Sequence, residues 1–255
     1  MYRPILVLKT QKHPCVIESF RYENGDAYGF SCGMYELGID GYQRSGSISN
    51  FDQKGLFLSE LRLSSGVLDM KYNYSHSNLI VGSSDSSVGL FDFVENELTP
   101  NCLTKVDPSN GLILSVARSD HGMERSDDLI VMCSTQSSSL HQFELPTGLV
   151  PIASVNEAHK LHGYPVPAWT VSMNPHSSYL LASGGDDNLL KWWDLRDFTS
   201  AVAVSNGHAA GVTAIAWHPH REHVVATGSY DECVHLWDCR QPNKSLATIQ
   251  TGKIH

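Results

Sequence analysis

The sequence predicts an all-β fold arranged as a propeller, and two observations carry this prediction. Residues 181–240 contain the same pattern twice, with turn aspartates at Asp187 and Asp231 and Trp-Asp pairs that begin at Trp193 and Trp237. Both spacings are 44 residues, the size of a propeller blade in which each repeat supplies one four-stranded sheet. The second observation is that no helical periodicity of any length is visible in the 255 residues.

The second copy shows how each strand of such a blade arises. Residues 212–217 alternate around β-branched and aromatic side chains, as expected of an inner strand. Pro219 ends that strand because proline lacks the N–H that a strand ladder needs. Residues 224–227 and 234–237 are the next two apolar runs, and 228–232 form the tight turn between them.

With Gly207-His208 between the two copies, this pattern resembles the WD40 repeat. The resemblance implies a buried hydrogen-bonded network in each blade, which fixes the register of the strands. The predicted members are His208, Thr227, Asp231 and Trp237, matched in the preceding copy by Ser183, Asp187 and Trp193. Either His159 or His162 completes the earlier network. A catalytic Asp–His pair is the alternative interpretation, but a satisfied structural network is favoured.

Equivalents of the Trp-Asp pair divide the chain, as one domain over residues 1–255, into five blades. Their approximate limits are 1–60, 61–105, 106–155, 156–205 and 206–255. Because propellers of this repeat usually have seven blades, we expect a truncated product with open sheet edges. A five-blade ring closed by an unusual route is the alternative. In the third blade Ser137 replaces the turn aspartate, and residues 118–128 predict a solvated loop.

Composition excludes several classes of function. The net charge is −9, from 18 basic and 27 acidic residues, which argues against nucleic acid or an anionic membrane as a partner. No apolar run reaches the length of a membrane span or of a signal-peptide core. Six cysteines without framework spacing indicate reduced thiols and a cytoplasmic protein. Nothing in the sequence indicates a cofactor.

Two motifs in the sequence match patterns of functional sites, one of serine hydrolases and one of metal sites, but their context argues against both functions. Residues 29–33 match the Gly-x-Ser-x-Gly pattern of serine hydrolases, but that motif requires a strand-to-helix turn and here lies among strands. His218, His220 and His223 cluster around a proline, yet no cysteine or carboxylate is spaced to complete a zinc site. We therefore predict neither a nucleophile elbow nor a metal site.

One face of the propeller is the better candidate for a binding site. Turns between second and third strands emerge together there, and they carry Tyr35, Glu36, Asp186, Tyr230 and Glu232, with Trp169 entering from the same side. Aromatic rings interleaved with carboxylates can hold a quaternary ammonium group. Ordinary surface residues are the alternative interpretation of this set, since polar residues belong in turns.

Three strings resemble the diphthine methyl ester hydrolases, historically named diphthine methyltransferase. They are Gly33-Met34-Tyr35-Glu36-Leu37 followed by Arg44-Ser45-Gly46, Ser183-Gly184-Gly185-Asp186-Asp187 with Trp193-Asp194-Leu195-Arg196, and His220-Arg221-Glu222-His223 leading into residues 226–238. The chain departs from that family where Pro165-Val166-Pro167 separates residues 162–164 from Ala168-Trp169.

The resemblance implies a cytoplasmic enzyme that removes the ester methyl from methylated diphthine on elongation factor 2. Position alone suggests Glu36, Asp186 or Glu232 as the base, and Tyr35, Trp169 and Tyr230 as substrate-binding residues. Amides around residues 184–185 are candidate oxyanion donors. The rival hypothesis is a non-catalytic scaffold that binds a protein or peptide on the same face.

Overall fold

Five antiparallel sheets of four strands each, taken in sequence order, make up the computed structural model. The structure describes residues 8–22, 28–39, 44–119, 130–145 and 148–251. Most of the predicted loop 118–128 lies outside these residues. Within them, no helix is long and apolar enough to cross a membrane.

Each sheet is one blade, with its strands in the order of the chain from the propeller axis outward. Blade 1 consists of β1 (His13–Arg21), β2 (Tyr28–Leu37), β3 (Arg44–Asp52) and β4 (Phe57–Leu63). Blade 2 consists of β5 (Val67–Tyr72), β6 (Asn78–Ser83), β7 (Ser87–Val94) and β8 (Glu97–Lys105). Blade 3 consists of β9 (Ile113–Arg118), β10 (Ile130–Thr135), β11 (Leu140–Glu144) and β12 (Val150–Val155).

The last two blades follow a short hairpin formed by β13 (Lys160–Leu161) and β14 (Tyr164–Pro165). Blade 4 consists of β15 (Ala168–Met173), β16 (Leu180–Gly185), β17 (Leu190–Asp194) and β18 (Ala203–Ser205). Blade 5 consists of β19 (Val212–Trp217), β20 (Val224–Ser229), β21 (Cys233–Asp238) and β22 (Ser245–Gln250). The all-β propeller with five recognisable blades is therefore confirmed.

Apolar side chains are buried between neighbouring blades, and the described residues form four such cores. Phe20, Ile48 and Met70 belong to the core between blades 1 and 2, and Ile80 with Ile113 to the next. The third core includes Met132, Leu181 and Trp193, and the fourth includes Trp192, Val225 and Trp237. Alternation along each strand directs one face to the preceding blade and the other face to the next.

The inner strands β1, β5, β9, β15 and β19 contact one another in sequence. Together they line a central cavity of about 530 Å³, which we call the channel and which reaches from Cys15 in β1 to Ile215 in β19. Extensive contacts join blades 1–2, 2–3, 3–4 and 4–5 among the described residues. In that part of the chain, blades 1 and 5 each pack against a single neighbour.

One predicted turn is wrong. Residues 33–37 do not turn but continue β2, which pairs with β3 without interruption from Gly29 to Leu37. Gly33 allows β2 to pack closely against blade 2, because a Cβ there would lie 2.5 Å from a methyl group of Val67. The chain reverses only beyond Leu37, where residues 40–43 lie outside the described ranges.

Candidate functional site

The buried networks of blades 4 and 5 have the predicted members. In blade 5, His208 joins Asp231 through Nδ1 at 2.8 Å and Thr227 through Nε2 at 2.8 Å. Trp237 donates its indole N–H to the same threonine hydroxyl at 2.8 Å. The ring nitrogens of His208, the Thr227 hydroxyl and the Trp237 indole N–H therefore all have partners, and such a satisfied network fixes the register of the strands.

Blade 4 repeats this geometry and resolves the ambiguity between two histidines. His159, not His162, bonds Asp187 at 2.7 Å and Ser183 at 2.8 Å, and Trp193 donates to Ser183 at 2.8 Å. Burial lowers the pKa of His159 despite the adjacent carboxylate. Because the His159 side chain is completely buried, this Asp–His pair cannot reach a substrate.

Blade 3 replaces the missing aspartate with a chain of hydroxyl groups. Thr135 bonds Ser139 at 2.7 Å, and Ser139 bonds the Nε2 of His141 at 2.8 Å. Ser137 donates to the side-chain carbonyl of Asn110 at 2.8 Å. This chain of hydroxyl groups was not predicted from the sequence, because its residues do not lie at the positions that the repeat pattern defines.

Trp169, Asp186 and Tyr230 come together where blades 4 and 5 meet, and we call them the blade 4–5 cluster. The indole N–H of Trp169 donates to Oδ1 of Asp186 at 3.1 Å. The rings of Trp169 and Tyr230 meet edge to face with centroids 6.2 Å apart. Tyr230 is 64% exposed, and Trp169 also lines the central cavity. The cluster thus offers two aromatic rings and a carboxylate to a ligand at the mouth of the channel.

The other three candidate residues lie apart from this cluster. Tyr35 and Glu36 are on β2 of blade 1, where the Tyr35 ring is 6.1 Å from that of His13 and Glu36 is exposed. Glu232 is exposed in the β20–β21 turn with a φ of 63°. Its carbonyl accepts a hydrogen bond from the Thr251 hydroxyl at 2.7 Å. The structure therefore brings three of the six predicted residues together, and it leaves the roles of all six as proposals.

The proposed oxyanion donors have structural partners. Gly184 lies within β16, which pairs with β15 on one side and β17 on the other. The amide of Asp186 donates to the carbonyl of Pro167 at 3.0 Å. Because β16 pairs on both sides at Gly184, the amides around residues 184–185 are not the free turn donors that the sequence suggested.

Charged side chains inside the channel were missed by the sequence reasoning. Asp69 on β5 accepts hydrogen bonds from the Ser115 hydroxyl and the Val116 amide, both at 2.9 Å. Lys71, two residues further along β5, forms an ion pair with Glu18 of β1. Burial raises the pKa of both Asp69 and Glu18, although Lys71 opposes the shift. Polar residues at alternate positions of an inner strand were the available signal, since one face of that strand lines the channel.

The Gly-x-Ser-x-Gly match is structural. Ser31 lies in the middle of β2 and is fully buried. Its hydroxyl donates to Asn50 at 2.6 Å and lies 2.8 Å from the hydroxyl of Tyr72. A serine in this position joins blades 1 and 2 and is closed to an ester.

The chain is similar in sequence to several known proteins. The family model described as "WD domain, G-beta repeat" matches residues 155–194 and 200–238. The mouse protein named diphthine methyltransferase is 31% identical over 235 residues, which cover 79% of this chain and 46% of that protein. A fission-yeast RbAp48-related WD40 repeat-containing protein, prw1, is 28% identical over 52% of this chain and 30% of its own length.

A solved structure, titled as the crystal structure of a mitotic checkpoint complex, contains a chain with the same fold. Its TM-score is 0.69 with 17% identity, over 99% of this chain and 72% of that one. This likeness concerns the fold alone. The chain spans less than half the length of the two sequence relatives described above.

Proposed function

Because the chain is a WD40-repeat protein similar to diphthine methyltransferase, we propose that it acts in diphthamide biosynthesis. Specifically, we propose hydrolysis of the methyl ester of methylated diphthine on elongation factor 2, in the cytoplasm. The single observation that supports a substrate site is the blade 4–5 cluster, in which two aromatic rings adjoin a carboxylate. Methylated diphthine carries a trimethylammonium group, which such a surface attracts through cation–π and charge interactions.

The charge of the whole chain adds to this attraction. The formal net charge is −9, which favours the approach of a cationic ligand. The central cavity itself is mixed in charge, since Asp69 lies there beside Lys71, which is paired with Glu18. The substrate is a side chain on a folded protein, and an open cluster at the channel mouth suits such a partner better than a closed pocket.

Asp186 is the candidate general base. Its carboxylate is half-buried, and the Trp169 indole fixes one oxygen. A base in this position would activate water against the ester carbonyl while the two rings hold the ammonium group. Glu36 and Glu232 remain the alternatives, each on a separate part of the same face.

The test is the intact mass of elongation factor 2 bearing methyl-esterified diphthine, followed for loss of the ester methyl. We expect Asp186→Asn to lower turnover by about 10²–10⁴-fold, the usual contribution of a general base. Tyr230→Ala should raise KM, whereas Tyr74→Ala, a tyrosine 69% exposed in the β5–β6 loop, should behave as wild type. Glu36→Gln and Glu232→Gln complete the series. Wild-type rates in all three carboxyl variants would overturn the assignment of the base.

The second candidate function is a scaffold that binds a protein or peptide without changing it. It is favoured by the buried Asp–His pairs, which serve the fold, and by the similarity to prw1. A constant substrate mass together with retention of elongation factor 2 on the folded protein would support the scaffold. Loss of the methyl would exclude it.

A further inference from the structure

The third strand of blade 5 carries a buried histidine that the WD40 network does not use. His235 on β21 is 7% exposed, and its Nδ1 has no hydrogen-bond partner among the described residues. Its ring lies 4.2 Å from that of His208, measured between centroids. Buried polar atoms are nearly always partnered, so an exception indicates a role or a missing ligand.

The equivalent position in blade 4 shows what is missing. There Lys191 of β17 extends its ammonium group to the carbonyl of Ala158 at 2.7 Å and to Asp187 at 3.3 Å. The Lys191 ammonium group thus lies between Asp187 and Ala158, the residue that precedes His159. In blade 5, His235 occupies the place of Lys191 beside Gly207. An imidazole in that place leaves Asp231 without a counterpart of the Lys191 ammonium group that lies beside Asp187.

We propose that His208, Asp231 and His235 bind a divalent transition-metal ion, with zinc as the preferred metal. One ligand atom from each of the three side chains lies within 4.8 Å of the other two. Imidazole nitrogens and a carboxylate oxygen are common zinc ligands at about 2.0–2.2 Å. The His235 ring has to turn toward the other two groups to reach these distances. The ion would supply the positive charge that Lys191 supplies in blade 4.

Binding would change the partners of the His208 ring. In the network, Nδ1 lies 2.8 Å from Asp231 and Nε2 lies 2.8 Å from the Thr227 hydroxyl. With the ion on Nδ1, the N–H at Nε2 would donate a hydrogen bond to the Thr227 hydroxyl oxygen. Thr227 and Trp237 then orient the liganding imidazole in the way that outer hydrogen bonds orient metal-bound histidines. Water would provide the fourth ligand of a tetrahedral site.

The experiment titrates zinc into the chelator-stripped protein and follows heat of binding and thermal unfolding. We expect one ion per chain and a rise of the midpoint temperature, because a ligand that binds only the folded state stabilises it. Cobalt(II) should give the visible absorption of a tetrahedral nitrogen–oxygen site. His235→Lys, which copies blade 4, should fold without metal and lose affinity at least about tenfold.

Two further variants make the outcome decisive. His220→Asn alters the exposed histidine-rich loop and should bind zinc as wild type does. His235→Gln serves if the lysine variant does not fold. Wild-type affinity in either His235 variant would overturn the proposal. So would a loss of binding in His220→Asn, which would place the ion in the loop.

Discussion

At the scale of single residues, burial makes the stability of this propeller sensitive to acid. Burial lowers the pKa of His141, His159 and His235 below the ordinary value for histidine. The unfolded chain therefore takes up these protons more readily than the folded chain does. Their contribution to stability is complete above the unfolded pKa of about 6.5 and is lost as the pH falls below it.

We accordingly predict that the histidine contribution to the free energy of unfolding decreases between pH 7 and pH 5, whereas the raised pKa of Asp69 and of Glu18 acts in the opposite direction. Each histidine can contribute about 1.4 kcal/mol for every unit by which its pKa is lowered. Urea denaturation in the presence of a chelator measures the slope. His141→Gln should make the slope shallower, and His220→Gln, on an exposed loop, should leave it unchanged. The same pH slope in His141→Gln as in the wild type would contradict the prediction.

The limits of sequence reasoning also appear at this scale. His208, Thr227, Asp231 and Trp237 were predicted because the repeat fixes their spacing, and their hydrogen bonds confirm the network. The polar chain of blade 3 could not be predicted, since Asn110 and Ser137 meet only through the folded path of the backbone. The neighbourhood of Trp169, Asp186 and Tyr230 required the blade geometry as well as the turn positions.

At the scale of the strand, glycine decides how closely two blades approach. A Cβ on Gly46 of β3 would lie 2.4 Å from the carbonyl oxygen of Ser65 and 2.9 Å from the amide nitrogen of Val67. Both atoms belong to the backbone that leads into blade 2, so neither can move aside as a side chain does. A similar close approach explains why the turn of blade 1 was misjudged from sequence: Gly33 marks packing against Val67, not turning.

Gly46→Ala should therefore destabilise the protein by about 1–3 kcal/mol, the usual cost of overpacking. Gly228→Ala is the matched control, because its Cβ would meet only the Cβ of Ala214, at 3.5 Å. That variant should be neutral or slightly stabilising, since alanine restricts the unfolded chain. Denaturant midpoints compare the two. An equal loss in both variants would show that the close approach of Ser65 does not cause the effect.

At the scale of the whole molecule, the five blades form a nearly one-dimensional array. Each inner strand contacts its sequence neighbours, from β1·β5 through β15·β19. The free energy of unfolding of such an array is approximately the sum of the intrinsic stability of each blade and the interaction energy between neighbouring blades. Among the residues that the structure describes, blades 2, 3 and 4 each contribute to two cores, whereas blades 1 and 5 each contribute to one. The end blades should therefore open at lower free energy than the middle blades.

Hydrogen exchange followed by mass spectrometry tests this ordering. Amides of β20 should exchange before those of β16, because blade 5 opens while blade 4 remains packed. Leu181→Ala removes a fully buried side chain from the core between blades 3 and 4, at a cost of about 2–5 kcal/mol. It should speed exchange in blades 4 and 5 and leave blades 1 and 2 close to wild type, while Leu246→Ala, at a residue 58% exposed, should change none of them. If every blade exchanged in one concerted step, the interaction energy between neighbouring blades would exceed the intrinsic stability of a blade. The propeller would then fold as a single unit despite its repeated sequence.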